Sequence, residues 1–408
     1  MTFGRYAIAH AGGKAVMIPG AAPGDLLDLE LISQHRDYAV ARVVRVVRKG
    51  PCRREAPCEY AATCGGCDWQ HIDYDAQVAL KGELVASEFR RTLGIELDPR
   101  TLVEPSPTEF GYRSRIRLQT GPGGKLGFHR AGSNSLVEIE RCLVSNVDID
   151  PAAELARTIG RKCREIEIVE GQKGRILVAE LAEPPGPGEI NTARSIVQNR
   201  DGIAGVILRA GAARAIAGEV QVAIEVEPGC VLEGDADHFS QVNRAQNRRL
   251  VAAVIELASL SPGMRMLDLF CGAGNFSLPA ARRGAVVTGV DANAFAIEAA
   301  RANAARMGLA GIQFISMRAA ETARFLATAR YPADIVTLDP PRSGAADLME
   351  PVAKLGPSGI IYVSCDPSTM VRDLLSLARS GYMVSEVRAF DFFPNTHHVE
   401  VVARVLLT

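Results

Sequence analysis

The 408-residue chain has no run approaching the ~20 consecutive apolar residues that a membrane-spanning helix needs. Its opening stretch, MTFGRYAIAHAGGKAV, is broken by glycine and polar side chains where a secretory signal would carry an apolar core. Together these absences predict a cytoplasmic protein with no membrane partner. No excess of one charge exists either: 46 Lys and Arg against 47 Asp and Glu leave a net charge of −1, which by itself counts mildly against nucleic-acid binding. Internal repeats and long disordered tracts are also missing. What remains is a globular chain, 47% apolar, too long for one ordinary core, so two or three domains are expected. In a reducing compartment its nine cysteines are expected as thiols or metal ligands rather than disulfides.

The charge is less even locally than in sum. HRDYAVARVVRVVRKGPCRR (35–54) and YRSRIRLQTGPGGKLGFHR (112–130) alternate arginine with apolar residues, which places the cations on one face of a strand. Two readings stay open, a solvated sheet face or a face that tracks phosphates. Residues 1–50 carry short β-like runs broken by glycine and proline, the pattern of a small RNA-binding barrel of OB-like type. Residues 51–237 hold a cysteine-rich segment, a helical pattern at 73–94 and then mixed β and α signals, a central α+β region. The part at 73–106 is left open to pack on the domain that follows. From 238 to 408 strand, glycine turn and helix alternate, the signature of a parallel α/β sheet of Rossmann-like type.

MLDLFCGAGNFS (266–277) is a strand entering a glycine turn that opens a helix. Gly272 and Gly274 allow close approach of backbone to a ligand, and Asp291, at the end of the next strand, is placed to accept bonds from ribose hydroxyls. Asp268 before the turn and the lack of a third glycine favour S-adenosylmethionine over a dinucleotide such as NAD, which remains the rival. DPPR (339–342) follows the strand ADIVTLD at the sheet edge where such folds bind ligands, and two prolines hold Asp339 in place. Arg342 stands where nucleic-acid amino-methyltransferases carry an aromatic residue, so amine methylation is disfavoured.

GIIYVSCDPSTMVRDLLSL (359–377) puts Cys365 between a strand and a helix start. A sulfur at a helix N-terminus is expected to favour thiolate. That matters for methylation at carbon 5 of uracil, which becomes nucleophilic only after something adds at carbon 6. A base must then remove the carbon-5 proton. Glu400, closing HHVE beside an apolar strand, offers that base, with burial raising its pKa; His397 and His398 are the next candidates. CEYAATCGGC (58–67) with Cys142 gives a three-plus-one spacing that suits an iron–sulfur cluster better than a zinc ribbon, with Cys58, Cys64, Cys67 and Cys142 as ligands. Cys52 is the nearest false candidate, and Cys163, Cys230 and Cys271 read as core or turn residues.

FSQVN (239–243), DLFCGAGNFS, DPPRSG, SCDPSTMVRDL and HHVE, in this order, resemble the RNA uracil-5 methyltransferases over nearly the whole chain. The resemblance implies a class I S-adenosylmethionine-dependent methyltransferase domain in which Cys365 is the nucleophile and Glu400 the proton acceptor. It implies that Gln241, Phe270, Asn275, Asp291 and Asp339 contact the methyl donor, with Gln241 and Asp339 close to the uracil. Where relatives often have Asn after IQFIS, this chain has Arg318, so the adenine contact there is unassigned. The cysteines are similar to the [4Fe–4S] motif of the ribosomal-RNA branch, and residues 1–50 to its TRAM-type barrel. The resemblance gives the tRNA branch neither feature, so 23S rRNA, bound through a flipped uridine, is the expected partner, and tRNA the alternative. No obligate protein partner is evident. Rivals from other classes are an NAD-dependent iron–sulfur oxidoreductase and a non-catalytic RNA-binding module.

Overall fold

The computed structural model describes residues 1–145 and 147–408. The strands Tyr6–Ala11, Lys14–Pro19, Leu26–Gln34 and Tyr38–Arg48 form one sheet in the order first, second, fourth, third, over a small core of Val16, Ile18, Ala21 and Ala41. Among the described residues no ladder joins the two outer strands, so the pairing is that of a sheet rather than a closed barrel. Three register shifts between the third and fourth strands curl it, because each extra residue adds local twist. Two arginines of the basic run are already engaged across this ladder, Arg42 with Glu30 and Arg45 with Asp28. Arg115 and Arg117 of the second basic run pair with Glu167. The phosphate-tracking reading therefore loses these four cations to internal partners.

The central sheet has seven strands, ordered Ala213–Gly218, Ile203–Ala210, Arg175–Leu181, Cys163–Glu170, Arg115–Thr120, Leu126–His129 and Leu136–Glu138. The helices Asp150–Ile159 and Pro187–Asn199 bury Leu155, Ala156, Ala193 and Ile196 in its core. The hairpin Gln221–Glu227 and Cys230–Asp235 shares its core instead with the C-terminal region, through Val222, Ile224, Val226 and Cys230.

The C-terminal sheet runs Ile312–Ser316, Val286–Asp291, Arg265–Leu269, Ile335–Leu338, Gly359–Ser364, Glu400–Leu407, Tyr382–Phe390 and Val103–Glu104. Its first five strands are parallel; the inner four are largely buried and read as mainly apolar runs, whereas Ile312–Ser316 at the edge buries only Phe314. Glu400–Leu407 returns antiparallel beside Gly359–Ser364. The eighth strand comes from far upstream, just after the helices Tyr74–Leu93 and Pro99–Leu102. The helix Tyr74–Leu93 stops at Gly94 in the left-handed conformation (φ 69°) and buries Val85, Ala86 and Phe89 in the C-terminal core. Among the described residues no helix is long and apolar enough to cross a membrane.

Candidate active site

The site lies where the parallel strands of the C-terminal sheet end. After Leu269 the chain turns at Phe270, a non-glycine residue at φ 67°, then passes Gly272 (φ 53°) and Gly274 (φ 99°). Such strain is held only where surroundings over-determine it, and it clusters at ligand sites. Gly272 N donates to Asp291 Oδ2 (3.0 Å) and Asn293 N to Asp291 Oδ1 (2.8 Å), so the carboxylate is fixed with lone pairs to spare. Asn275 exchanges two amide hydrogen bonds with Asn247 (2.9 and 3.0 Å), which fixes its plane. Gln241 precedes an anchored pair: Val242 O accepts from Ser114, and Asn243 caps the helix Arg244–Ala258.

Three acids converge on this edge. Asp268 is fully buried; Ser277 Oγ donates to its Oδ2 (2.5 Å) while Oδ1 has no partner. Burial first, then the charges of Asp339 and Asp291, push Asp268 up to about 7 against the Ser277 bond. Burial likewise pushes Asp339 up to about 7. Glu400, 5% exposed, is raised well above the ordinary range by burial and then by Asp339, with Arg342 opposing. It has no ion pair among the described residues. An acid whose folded pKa is raised binds more protons folded than unfolded between about pH 4 and 7, so stability falls as pH rises through that window. Asp268→Asn should flatten this fall, by on the order of 1.4 kcal/mol for each unit of the difference removed. Melting curves from pH 4.5 to 8 with the same slope as wild type would show that Asp268 does not carry it.

Cys365 follows the strand Gly359–Ser364 and precedes the helix Pro367–Ala378. Ser364 pairs with Val401 across the antiparallel ladder, so Cys365 and Glu400 stand opposite each other at the ends of neighbouring strands. The expected lowering of the thiol does not occur: Cys365 is pushed up to about 11. Burial is the main cause and Glu400 the next, with Arg342 opposing and Asp339 adding. The helix N-terminus does not help because its amides are taken. Ser368 N and Thr369 N both donate to Asp366 Oδ1, and Pro367 has no amide proton. Helix and DPPR loop are tied together, since Ala345 N donates to Asp373 Oδ2 (2.7 Å) and Arg372 to Ser343 O (3.0 Å).

Asp68, Lys81 and Asp391 escaped the sequence reading, as did the tie between Arg342 and His398. Arg342 was weighed only for the aromatic residue it replaces, yet it is the cation beside the sulfur. Its Nη2 donates to His398 Nε2 (3.3 Å), and burial with the neighbouring cations pushes His398 down to about 3. His397 Nδ1 meets Asp68 Oδ2 at 2.5 Å. Lys81 and Asp391 form a fully buried ion pair at 2.6 Å that pins the segment 391–399 to the helix Tyr74–Leu93. A lysine among the apolar positions of that helix was the one available signal.

Cys58, Cys64, Cys67 and Cys142 line one cavity of about 210 Å³, together with Tyr60 and Arg113. Cys52 is outside it, with its sulfur against Pro23 O. All nine cysteines are free. Burial raises Cys64, Cys142 and Cys67, the last to about 12, so without a compensating cation these are neutral thiols. Among the described residues no three His, Cys, Asp or Glu side chains gather tightly enough for a single metal ion. Cys163, Cys230 and Cys271 are buried elsewhere.

Residues 225–408 match the model of the tRNA (uracil-5-)-methyltransferase family. The chain is 31% identical over 98% of its length to the 23S rRNA (uracil(1939)-C(5))-methyltransferase RlmD of Pectobacterium atrosepticum, covering 90% of that protein. It is 35% identical over 97% of its length to the protein of the same name from Methylococcus capsulatus, covering 93% of it. This chain belongs to the RNA uracil-5 methyltransferase family. Its fold is similar to that of Pyrococcus abyssi tRNA (uracil-54, C5)-methyltransferase in complex with S-adenosyl-L-homocysteine. The TM-score is 0.75 at 27% identity, covering 96% of this chain and 95% of that one. That likeness corrects one expectation. A tRNA enzyme of the family matches almost this entire chain, so the N-terminal sheet and the cysteine-bearing region do not by themselves separate rRNA from tRNA enzymes.

Proposed function

We propose that this uracil-5 methyltransferase acts on a uridine of 23S rRNA, with Cys365 as nucleophile and Glu400 as base. The observation that carries the reading is Cys365 and Glu400 facing each other across adjacent strand ends, with Asp339 and Arg342 beside them. S-adenosylmethionine supplies an electrophilic methyl group; the unpartnered Asp268 oxygen, the open glycine turn and the fixed Asp291 suit a cationic donor bearing a ribose. Gln241, Phe270, Gly272, Gly274, Asn275, Asp291 and Asp339 form the donor side of the site, with Gln241 and Asp339 nearest the base.

The target uridine must leave its stack to reach a sulfur at the sheet edge. Cys365 gives up its thiol proton to solvent, the thiolate sulfur bonds to carbon 6, and the electrons of the carbon 5–carbon 6 double bond move toward oxygen 4. Carbon 5 takes the methyl group, Glu400 removes the carbon-5 proton, and the sulfur–carbon bond breaks as the double bond returns. Arg342 favours the thiolate against the two acids, so thiolate supply limits attack. Attack on a 5-fluorouridine RNA, which has no carbon-5 proton to lose, should therefore quicken about tenfold per pH unit from 6 to 9. A flat profile would mean that the sulfur is ionised by a route other than this one.

Cys58, Cys64, Cys67 and Cys142 would hold a [4Fe–4S] cluster, which supplies a tie between the segment 58–67 and residue 142. Asp291→Ala should weaken donor binding by ~1.5–3 kcal/mol, because a charge-assisted bond to ribose is lost, and leave RNA affinity unchanged. Calorimetry with an unaltered donor dissociation constant would move the ribose elsewhere. The rRNA target is supported by the relatives at 30–35% identity, and the tRNA alternative by the Pyrococcus likeness. Mapping 5-methyluridine in both RNAs from cells lacking this gene decides between them: loss in tRNA alone overturns the rRNA target.

A further inference from the structure

The residues directly after the third cysteine of the cavity do not return to the central sheet. They dock on the segment 391–399, which leads into Glu400. Trp69 N donates to Asn395 O (3.0 Å), and His397 N donates to Asp68 Oδ1 (3.2 Å). Asp68 Oδ2 lies 2.5 Å from His397 Nδ1, which fixes that nitrogen as the donor. Asn395 is fully buried in the left-handed conformation at φ 68°. Its side chain accepts from Gln77 and Arg54, and its amide donates to Gln77 Oε1 (2.7 Å). A strained residue held by that many partners means the segment's shape is imposed by what it docks against.

From His397 the contacts continue to the nucleophile. The rings of His397 and His398 lie 4.1 Å apart, and His398 meets Phe393 edge-on at 5.9 Å, so neither ring can turn alone. Arg342 can only donate, so His398 Nε2 accepts from it at 3.3 Å and the His398 proton sits on Nδ1. His398 thus presents a fixed lone pair that aims the guanidinium. Arg342 in turn is the cation beside Cys365.

We propose that Asp68, acting through His397 and His398, positions Arg342 beside Cys365, so that the cysteine-bearing segment controls activation of the nucleophile. This rests on the assignment of Cys365 as nucleophile. Asp68 is a positioning residue, remote from the reacting atoms. The loop and the nucleophile belong to regions separated by some three hundred residues of sequence; hydrogen bonds and a ring contact run from Asp68 to Arg342, whose charge then acts on the sulfur.

The test is the rate of covalent adduct formation with a 5-fluorouridine RNA and donor, in the full-length anaerobically purified protein. Asp68→Ala should slow it about tenfold at pH 7.5, the loss expected when the thiol pKa rises by one unit. The adduct's pH profile should shift upward by that unit, while RNA binding, donor binding and iron per chain stay within twofold of wild type. Asp68→Asn keeps an acceptor for His397 and should recover most of the rate. Arg342→Ala should show the same loss, and the double substitution should be no slower than Arg342→Ala alone, since both act on one path. A rate at the wild-type level, a loss confined to RNA affinity, or additive losses in the double variant would overturn the proposal. Should Asp68→Ala unfold, Asp68→Asn compared with His398→Phe carries the same test, because phenylalanine keeps the packing and removes the acceptor. Absence of any adduct in the wild-type protein would instead refute the nucleophile assignment itself.

Discussion

Glu400→Gln should accumulate a covalent RNA–protein complex that carries the transferred methyl group, and Cys365→Ala should form no complex at all. The difference follows from the order of bond changes. Without the sulfur, carbon 5 is never made nucleophilic, so neither adduct nor methyl transfer occurs. With the sulfur and a neutral amide at 400, attack and methyl transfer proceed, but the carbon-5 proton stays and the sulfur cannot leave. Glutamine is close in volume to glutamate, and a side chain already 5% exposed and without an ion pair loses little by the change. Turnover should fall by the 10²–10⁴-fold that a positioned base typically contributes. Label from methyl-tritiated donor should run with the protein on a denaturing gel in Glu400→Gln and vanish in the double substitution. An inactive Glu400→Gln with normal RNA and donor binding but no trapped complex would remove Glu400 as the base. His398 could not easily replace it, being held neutral as the acceptor for Arg342.

Protein prepared without oxygen should contain about four irons per chain, the number in a cubane held by four cysteines. Any one of Cys58→Ala, Cys64→Ala, Cys67→Ala and Cys142→Ala should lose that iron and a large part of the stability of residues 51–145. The cavity of about 210 Å³ is lined by four cysteines, of which burial raises Cys64, Cys67 and Cys142. Metal binding that needs a folded site contributes to folding, so its loss is felt as unfolding. Cys52→Ala, outside the cavity, should keep full iron. One zinc and no iron in the anaerobic protein would refute the cluster, and so would full iron in Cys142→Ala.

Much of this was written in local sequence. A glycine turn after a buried strand, an acid one strand later, Asp-Pro-Pro after a third strand and a cysteine before a capped helix each signal their own place at a parallel sheet edge, because strand ends and helix starts have short-range chemistry. The helix Tyr74–Leu93 was legible from its periodicity. The sign of the Cys365 shift was not. It depends on Glu400 returning antiparallel beside it and on Asp366 taking the helix amides, and the first of these is a contact between distant segments. The basic strands were legible as strands, yet only the ladder showed that Glu30, Asp28 and Glu167 lie opposite their arginines.

The sequence by itself determined the order of the elements, the family and the identity of the groups able to do the chemistry, since all of these rest on short motifs. Tertiary structure alone decided how those groups are tuned. Burial raises Cys365, Asp339 and Glu400; like charge adds to it at Cys365 and Glu400, where Arg342 opposes. The Lys81–Asp391 pair and the Asp68–His397 contact bring residues some three hundred apart to one edge. The physical reason is range: turns and caps are set by neighbours in the chain, whereas a pKa and a side chain's aim are set by whatever the fold packs against it.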